Sequence, residues 1–145
     1  MKIELRNIKY AAFASQETSC YEATIYIDGV RVGTVENNGH GGCDHIHPHA
    51  VEQRINEWAA PDDAEIIFAK LLNLWLQERD LKRAMSRRIL FRREGKLLET
   101  NAHSAIELKA RLGQTDLAEK LRAEVILNLL PFADASAIYR ARGSI

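Results

Sequence analysis

The chain has 145 residues, 46% of them hydrophobic and 28% charged, and its 20 basic and 20 acidic side chains give a formal net charge of zero. This composition excludes a disordered or collagen-like chain and lacks the positive excess typical of nucleic-acid-binding proteins. No apolar run approaches the roughly 18 residues of a membrane span, and the charged first ten residues do not fit a signal peptide. We therefore expect one cytoplasmic domain over residues 1–145, without a membrane partner and with both cysteines reduced.

Antiparallel strands are predicted in the first third of the chain. Residues 2–10 alternate between apolar and polar side chains with one slip, and residues 21–27 alternate throughout. The Asp-Gly pair at 28–29 favours a tight turn with positive backbone φ angles, so residues 30–36 should return as a third strand. Residues 11–19 are small and polar, and we expect them to form a connector.

Two helices are predicted in the middle of the chain, a short one over residues 50–59 and a long one that opens at residues 61–63 and runs to about residue 87. Asp62 and Glu65 have the spacing of a capping box at the start of the long helix. Its spacing of apolar residues predicts a wide buried face formed by Ile67, Leu71, Leu74 and Trp75, with Ala64, Phe68 and Leu72 beside them.

A second hairpin is predicted for residues 89–93 and 96–100, which flank the turn pair Glu94-Gly95. The fold class is therefore α+β, with an antiparallel sheet of two hairpins packed on a long central helix and covered by C-terminal helices.

The C-terminal helices are predicted from caps and stops. Helix starts are indicated by Ser104, with Glu107 at capping-box spacing, and by Thr115 or Asp116, while Gly113 ends the first of these helices. The second should reach toward Leu130, although the apolar run 125–130 fits a buried strand equally well, and residues 134–142 form a last short helix.

Four of the five histidines lie within ten residues, close to one cysteine and one aspartate. Imidazole, thiolate and carboxylate groups are ligands of zinc and similar divalent ions, although the spacing matches no closed zinc site. The alternative is a solvent-facing loop whose histidines contact backbone groups or a partner, in which case no cofactor is required. The candidate metal ligands are His40, Cys43, His45, His47 and His49.

Three glycines in four positions indicate a loop of unusual backbone geometry after the third strand. Successive backbone N–H groups in such a loop can form a concave nest for an anion, whereas the alternative is a plain reversal of the chain. The pattern matches neither the phosphate loop nor the dinucleotide fingerprint. The candidate binding residues here are Asn38, Gly39, His40, Gly41 and Gly42.

Basic residues are concentrated in residues 82–96, where Glu94 is the only acid. On a shared surface they would suit phosphates or an acidic protein, with Arg83, Arg87, Arg88 and Arg92 as the candidate contacts. The alternative is that they complement the negative end of the long helix and pair with acids elsewhere.

Two resemblances bear on function. Asp44-His45-Ile46-His47-Pro48 resembles the core of HNH-type nucleases, which implies His45 as general base and Asp44 as metal ligand, but the downstream asparagine and histidine of that family are not matched. The succession of residues 7–18, a hairpin and residues 38–43 is similar to small uncharacterised proteins of phages and other mobile elements. Such proteins often act by binding, including as inhibitors of host defence systems.

The sequence thus favours a small binding protein that contacts a protein or nucleic acid through residues 37–49 and 82–96. The alternative is a metal-dependent nuclease or other hydrolase that uses Asp44 and His45, and enzymatic activity is left open. A third hypothesis is a structural homo-oligomer without chemistry.

Overall fold

The computed structural model of the chain describes residues 1–101 and 117–143. Helices and antiparallel sheets both contribute, so the α+β prediction is confirmed. The chain divides into two compact units, Met1–Leu74 and Trp75–Ile145, each of which is described by itself. A single domain over the whole chain stays a prediction.

The first unit contains a four-stranded antiparallel sheet in which neighbours in sequence are neighbours in space. Its strands are β1 (Ile3–Tyr10), β2 (Cys20–Ile27), β3 (Val30–Asn38) and β4 (His45–His47). One face of the sheet is buried, as the alternation in sequence requires. The buried side chains on β2, β3 and β4 include Tyr21, Ala23, Ile25, Ile27, Val35, Asn37 and Ile46.

Local backbone signals in this sheet are confirmed. The predicted slip in the first strand is a register shift between Arg6 and Lys9, where Asn7 has a φ of 53°. The turn between β2 and β3 has φ angles of 50° at Asp28 and 81° at Gly29, which is the backbone that an Asp-Gly pair favours. The short strand β4 was not predicted, because three residues are too few to show a period.

Two helices follow the sheet, α1 (His49–Ala59) and α2 (Ala64–Arg87). The predicted capping box at the start of α2 is wrong: the Asp63 carboxylate accepts from the backbone N–H of Ile66 at 3.0 Å, and Glu65 binds a different segment of the chain. Helix α2 begins in the first unit and continues into the second.

The buried face of α2 in the first unit is narrower than the predicted one. Ala64, Phe68 and Leu72 are buried and follow each other at four-residue spacing, whereas Ile67 is only partly buried and Leu74 is 37% exposed. The apolar side chains of this helix spread over more than one face, so spacing alone does not select the buried face.

The second unit contains a three-stranded antiparallel sheet in the order β6-β5-β7. The hairpin of β5 (Leu90–Arg93) and β6 (Lys96–Glu99) forms as predicted, with positive φ angles at both turn residues. The third strand is β7 (Val125–Ile126). The expectation of one sheet for both hairpins is therefore corrected, since each hairpin belongs to its own sheet.

The described C-terminal helices are α3 (Leu117–Leu121) and α4 (Phe132–Arg140). Of the two alternatives for residues 125–130, the helix that reaches Leu130 does not form, and the strand forms at Val125 and Ile126, which pair with β5. The helix predicted between Ser104 and Gly113, and the caps at Thr115 and Asp116, lie outside the described residues. Buried residues of this unit include Leu81, Ile89, Leu90, Phe91, Leu117, Ile126, Leu127 and Ala135.

The helices within residues 1–101 and 117–143 lack the combination of length and apolar character that crossing a membrane requires.

Candidate binding site

The glycine-rich loop between β3 and β4 is anchored by one buried amide, that of Asn37, which is 6% exposed. Its side-chain oxygen accepts hydrogen bonds from the Thr18 hydroxyl at 2.8 Å and from the Gly39 N–H at 2.9 Å. Its NH₂ group donates to the Gly42 carbonyl and to the Asp44 carboxylate, both at 3.0 Å. All four contacts lie in the loop or in the connector, so this side chain determines the path of the loop.

A second buried contact links the loop to the sheet and to α2. The Tyr21 hydroxyl donates to the Asp44 carboxylate at 2.7 Å, and the Asp44 N–H donates to the Glu65 carboxylate at 2.6 Å. Burial of Tyr21, the hydrogen bond to Asp44 and the negative charges of Asp44 and Glu65 all raise the pKa of Tyr21. The hydroxyl is therefore a permanent donor at neutral pH and holds the end of the loop.

The connector between β1 and β2 lies directly against the loop. The Gly39 carbonyl accepts from the N–H groups of Gln16, Glu17 and Thr18 at 3.2, 3.0 and 3.4 Å. Gly39 has a φ of 84°, and a Cβ atom at this position would lie 2.1 Å from the backbone oxygen of Ala14. A glycine is needed here both for the backbone conformation and for the close approach of the two segments.

Gly41 makes a second close approach to the connector. Its φ is 92°, and a Cβ atom there would lie 2.2 Å from the Glu17 carboxylate. The Gly41 N–H donates to the Thr18 hydroxyl at 3.3 Å. Connector and loop thus form one braced unit, and we call residues 11–19 together with residues 38–43 the loop surface.

The connector also carries the most exposed large apolar side chain among the described residues. Phe13 is 91% exposed and lies within the short 3₁₀ turn Ala12–Ala14. The Ser15 hydroxyl, which donates to the Ala11 carbonyl and accepts from the Cys20 N–H, both at 2.8 Å, closes the segment around it. The phenyl ring is consequently presented to solvent by an ordered backbone.

The predicted histidine and cysteine ligands are exposed and are not brought together. His40 and Cys43 lie in the loop, whereas His45 and His47 lie on the outer face of β4. His49 begins α1 and its Nδ1 atom contacts the Glu52 carboxylate at 3.1 Å. Within residues 1–101 and 117–143, no three His, Cys, Asp or Glu side chains are grouped so that they could hold a metal ion.

The two residues of the hydrolase alternative have different surroundings. Both oxygens of the Asp44 carboxylate accept hydrogen bonds from the buried residues Tyr21 and Asn37. His45 is exposed and pairs across the strands with Glu36 on the outer face of the sheet. Neighbouring residues in an extended segment point to opposite sides, which explains this separation.

A depression of about 500 Å³ lies at the outer face of the sheet and is lined by His45 and Asn38. Across it runs a row of residues in register on the four strands, Lys9, Glu22, Glu36 and His45. The Lys9 ammonium lies 3.2 Å from the Glu22 carboxylate, so part of the charge in this row is neutralised.

A second depression, of about 550 Å³, lies where the connector, the loop and the first part of α2 come together. Tyr21, Asn37, Gly42 and Asp44 all line it, together with Glu65 from the helix. We call it the acidic cavity. It borders the loop surface at Gly42.

Many basic side chains of residues 82–96 make contacts within the second unit. The Lys82 ammonium lies over the Phe132 ring, and Arg93 contacts the Leu121 carbonyl. The guanidinium groups of Arg88 and Arg92 form ion pairs, with Glu99 and with Glu124 respectively. The candidates Arg83 and Arg87 are exposed and lie four residues apart on α2.

Sequence reasoning identified the loop but missed the residues that hold it. The contacts of Thr18, Tyr21 and Glu65 with the loop were not predicted, and neither were Glu17 beside Gly41 and the exposed Phe13. Asn37 lay inside the predicted contact range 37–49, but its role as the anchor was not predicted. One signal was available, since a phenylalanine within a small, polar connector is out of place. No signal in the sequence indicated that Glu65 contacts the loop, because its spacing from Asp62 fitted a helix cap equally well.

Comparison with known proteins gives no match to a family model, a curated protein or a solved structure. The resemblances to phage proteins and to HNH nucleases therefore stay predictions.

Proposed function

We propose that this chain is a binding protein that recognises a protein partner through the loop surface. The observation that carries the proposal is the bracing of an exposed loop by the buried side chain of Asn37 and by the carbonyl of Gly39. A plain chain reversal needs a two-residue turn, as at the Asp28-Gly29 pair. The extra contacts order the loop before any partner arrives, which lowers the entropic cost of association.

The exposed side chains on this surface suit a protein interface. Phe13 can supply the apolar anchor, because a rigid aromatic side chain buries a large area at a small entropic cost. His40 follows Gly39, whose carbonyl is bound to the connector, and its exposed side chain supplies a polar contact. An aromatic centre with polar neighbours is the usual anatomy of a protein interface.

Charge favours a protein over a nucleic acid as the partner of this surface. The first unit, residues 1–74, has six basic and eleven acidic residues. An acidic unit repels a phosphate backbone, whereas it attracts a basic protein surface. The candidate second contact through Arg83 and Arg87 lies in residues 75–145, which have fourteen basic and nine acidic residues, and is a separate proposal.

The predicted resemblance to proteins of phages and mobile elements makes host proteins the first partners to test, with inhibition of a host system as the proposed biological role. No contact within the described residues favours hydrolysis, since Asp44 is held by Tyr21 and Asn37 while His45 lies on the outer sheet face.

Quantitative affinity capture with matched variants tests the proposal. The surface variant combines Phe13→Ser with His40→Ala, and the control is Val30→Ser, which alters another exposed apolar residue, 63% exposed at a hairpin turn. We expect a defined host protein to be retained by the wild type and the control and lost by the surface variant. Equal recovery of every captured protein by all three would contradict the proposal.

A further inference from the structure

Three kinds of residue line the acidic cavity. Carboxylates of Glu17, Asp44 and Glu65 form one part of its lining. Tyr10 and Tyr21 form a second part, and Leu72 and Ala69 of α2 form a third, apolar part. Its volume of about 550 Å³ lies within the range of sites that hold small ligands, about 300–1,000 Å³.

No cationic side chain of the described residues lines this cavity. Lysines of the same unit are paired elsewhere, Lys9 with Glu22 and Lys70 with Asp62, each at 3.2 Å. The three carboxylates of the cavity are thus not neutralised by a basic residue in its wall. A ligand that enters it is favoured if it brings positive charge.

The remaining hydrogen-bonding groups limit the chemistry further. Asp44 accepts from Tyr21 and Asn37, and these contacts hold its carboxylate in one orientation. Tyrosine rings beside carboxylates attract a cation through both the ring face and the negative charge, and apolar surface accommodates an alkyl chain. An alkyl chain that ends in a guanidinium or ammonium group can interact favourably with the carboxylates, the tyrosines and the apolar residues of the lining.

Position connects the cavity to the loop surface. Glu17 belongs to the connector, and its carboxylate lies beside Gly41. Gly42 lines the cavity from the loop itself. A partner seated on the loop surface would therefore have the opening of the cavity within reach of one of its long side chains.

We propose that the acidic cavity binds the cationic side chain of an arginine or lysine presented by the protein partner. This inference rests on the proposed function, because it needs a partner on the loop surface. It names the chemistry of that partner, which is a basic residue projecting from its contact surface.

A titration without the partner tests the cavity. The full chain, labelled with ¹⁵N, is titrated with N-acetyl-arginine amide, with its neutral isostere N-acetyl-citrulline amide, and with spermidine. We expect the arginine probe to cause saturable shifts at the amides of Gly41, Gly42 and Asp44, and the citrulline probe to cause none. Spermidine binding that is tighter than that of the arginine probe at the same amides would overturn the assignment to a partner side chain.

Two variants and a control locate the effect. Glu65→Gln keeps an acceptor for the Asp44 N–H, and Glu17→Gln alters an exposed side chain, so both should fold. Each should weaken binding of the arginine probe about tenfold, the effect of losing one charge-assisted contact. The control Glu22→Gln removes a carboxylate from the outer sheet face and should leave the affinity unchanged.

The titration and the affinity capture test the cavity and the proposed function separately. Equal shifts with both amide probes, no shifts with the arginine probe, or unaltered affinity in Glu17→Gln and Glu65→Gln would overturn the cavity assignment. Because the titration contains no partner, these outcomes leave the capture result untouched. Loss of captured protein only in the loop-surface variant, with no probe binding, would uphold the proposed function and refute the cavity.

Discussion

Replacing Asn37 by alanine should release the glycine-rich loop, because this amide makes four hydrogen bonds from a position that is only 6% exposed. A typical hydrogen bond contributes a net 0.5–1.5 kcal/mol, about 2–6 kcal/mol for four. Thr18, Gly42 and Asp44 retain some exposure and can be rehydrated by water after the substitution, whereas the Gly39 N–H is buried. We therefore expect the lower part of that range, a loss of about 2–3 kcal/mol.

Urea unfolding followed by circular dichroism measures this loss, and hydrogen exchange locates it. The amides of Gly39 and Gly41, which donate to Asn37 and Thr18, should exchange faster in Asn37→Ala. The control is Asn38→Ala, an exposed neighbour whose side chain accepts from the His40 N–H, and it should cost less than about 0.5 kcal/mol. A loss below about 1 kcal/mol with unaltered exchange at Gly39 would refute the assignment of Asn37 as the anchor.

Three further experiments test the bracing and the surface. Gly39→Ala should cost more than about 2 kcal/mol in urea unfolding, since its Cβ would lie 2.1 Å from the Ala14 oxygen, whereas Gly42→Ala, with nothing within 4 Å, should cost far less; equal costs would contradict the close approach. Burial and the nearby carboxylates raise the pKa of Tyr21, so the unfolded chain loses this proton first as pH rises above about 10, and stability falls by up to about 1.4 kcal/mol per pH unit. Tyr21→Phe should lose less stability than the wild type between neutral and alkaline pH, and parallel urea midpoints for the two proteins would refute this. Phe13→Ser should leave the unfolding free energy within about 0.5 kcal/mol of wild type, because the ring is 91% exposed, and a larger loss would show that the ring packs against the protein.

Local chemistry explains what could be predicted of the fold. The Asp28-Gly29 and Glu94-Gly95 turns have positive φ angles, which glycine adopts freely and aspartate adopts more readily than glutamate, so both hairpins are indicated by adjacent residues and the first more strongly. The apolar run 125–130 has no such local signal, and its residues alone fit either a helix or a strand. Pairing with β5 makes it a strand, and that pairing joins residues more than thirty positions apart.

The candidate site likewise combines local features, which the sequence indicates, with long-range contacts, which it does not. Glycines 39, 41 and 42 mark the loop in the sequence, because their backbone freedom is a local property. The bracing is not local: Thr18 meets Asn37 across 19 positions, and Tyr21 meets Asp44 across 23. A single sequence contains no signal for such contacts. The sequence therefore predicts a site at the cluster of histidines and does not predict the residues that hold the loop.

Site-specific photocrosslinking tests the central claim, that the loop surface contacts a protein partner, most directly. The photoreactive residue p-benzoylphenylalanine replaces Phe13 in one protein and Val30 in a second, two exposed positions on different turns of the first unit. Irradiation in the source cells should give a discrete crosslinked species from position 13 that Asn37→Ala diminishes, and no such species from position 30. The same products from both positions, or none from position 13, would contradict the account.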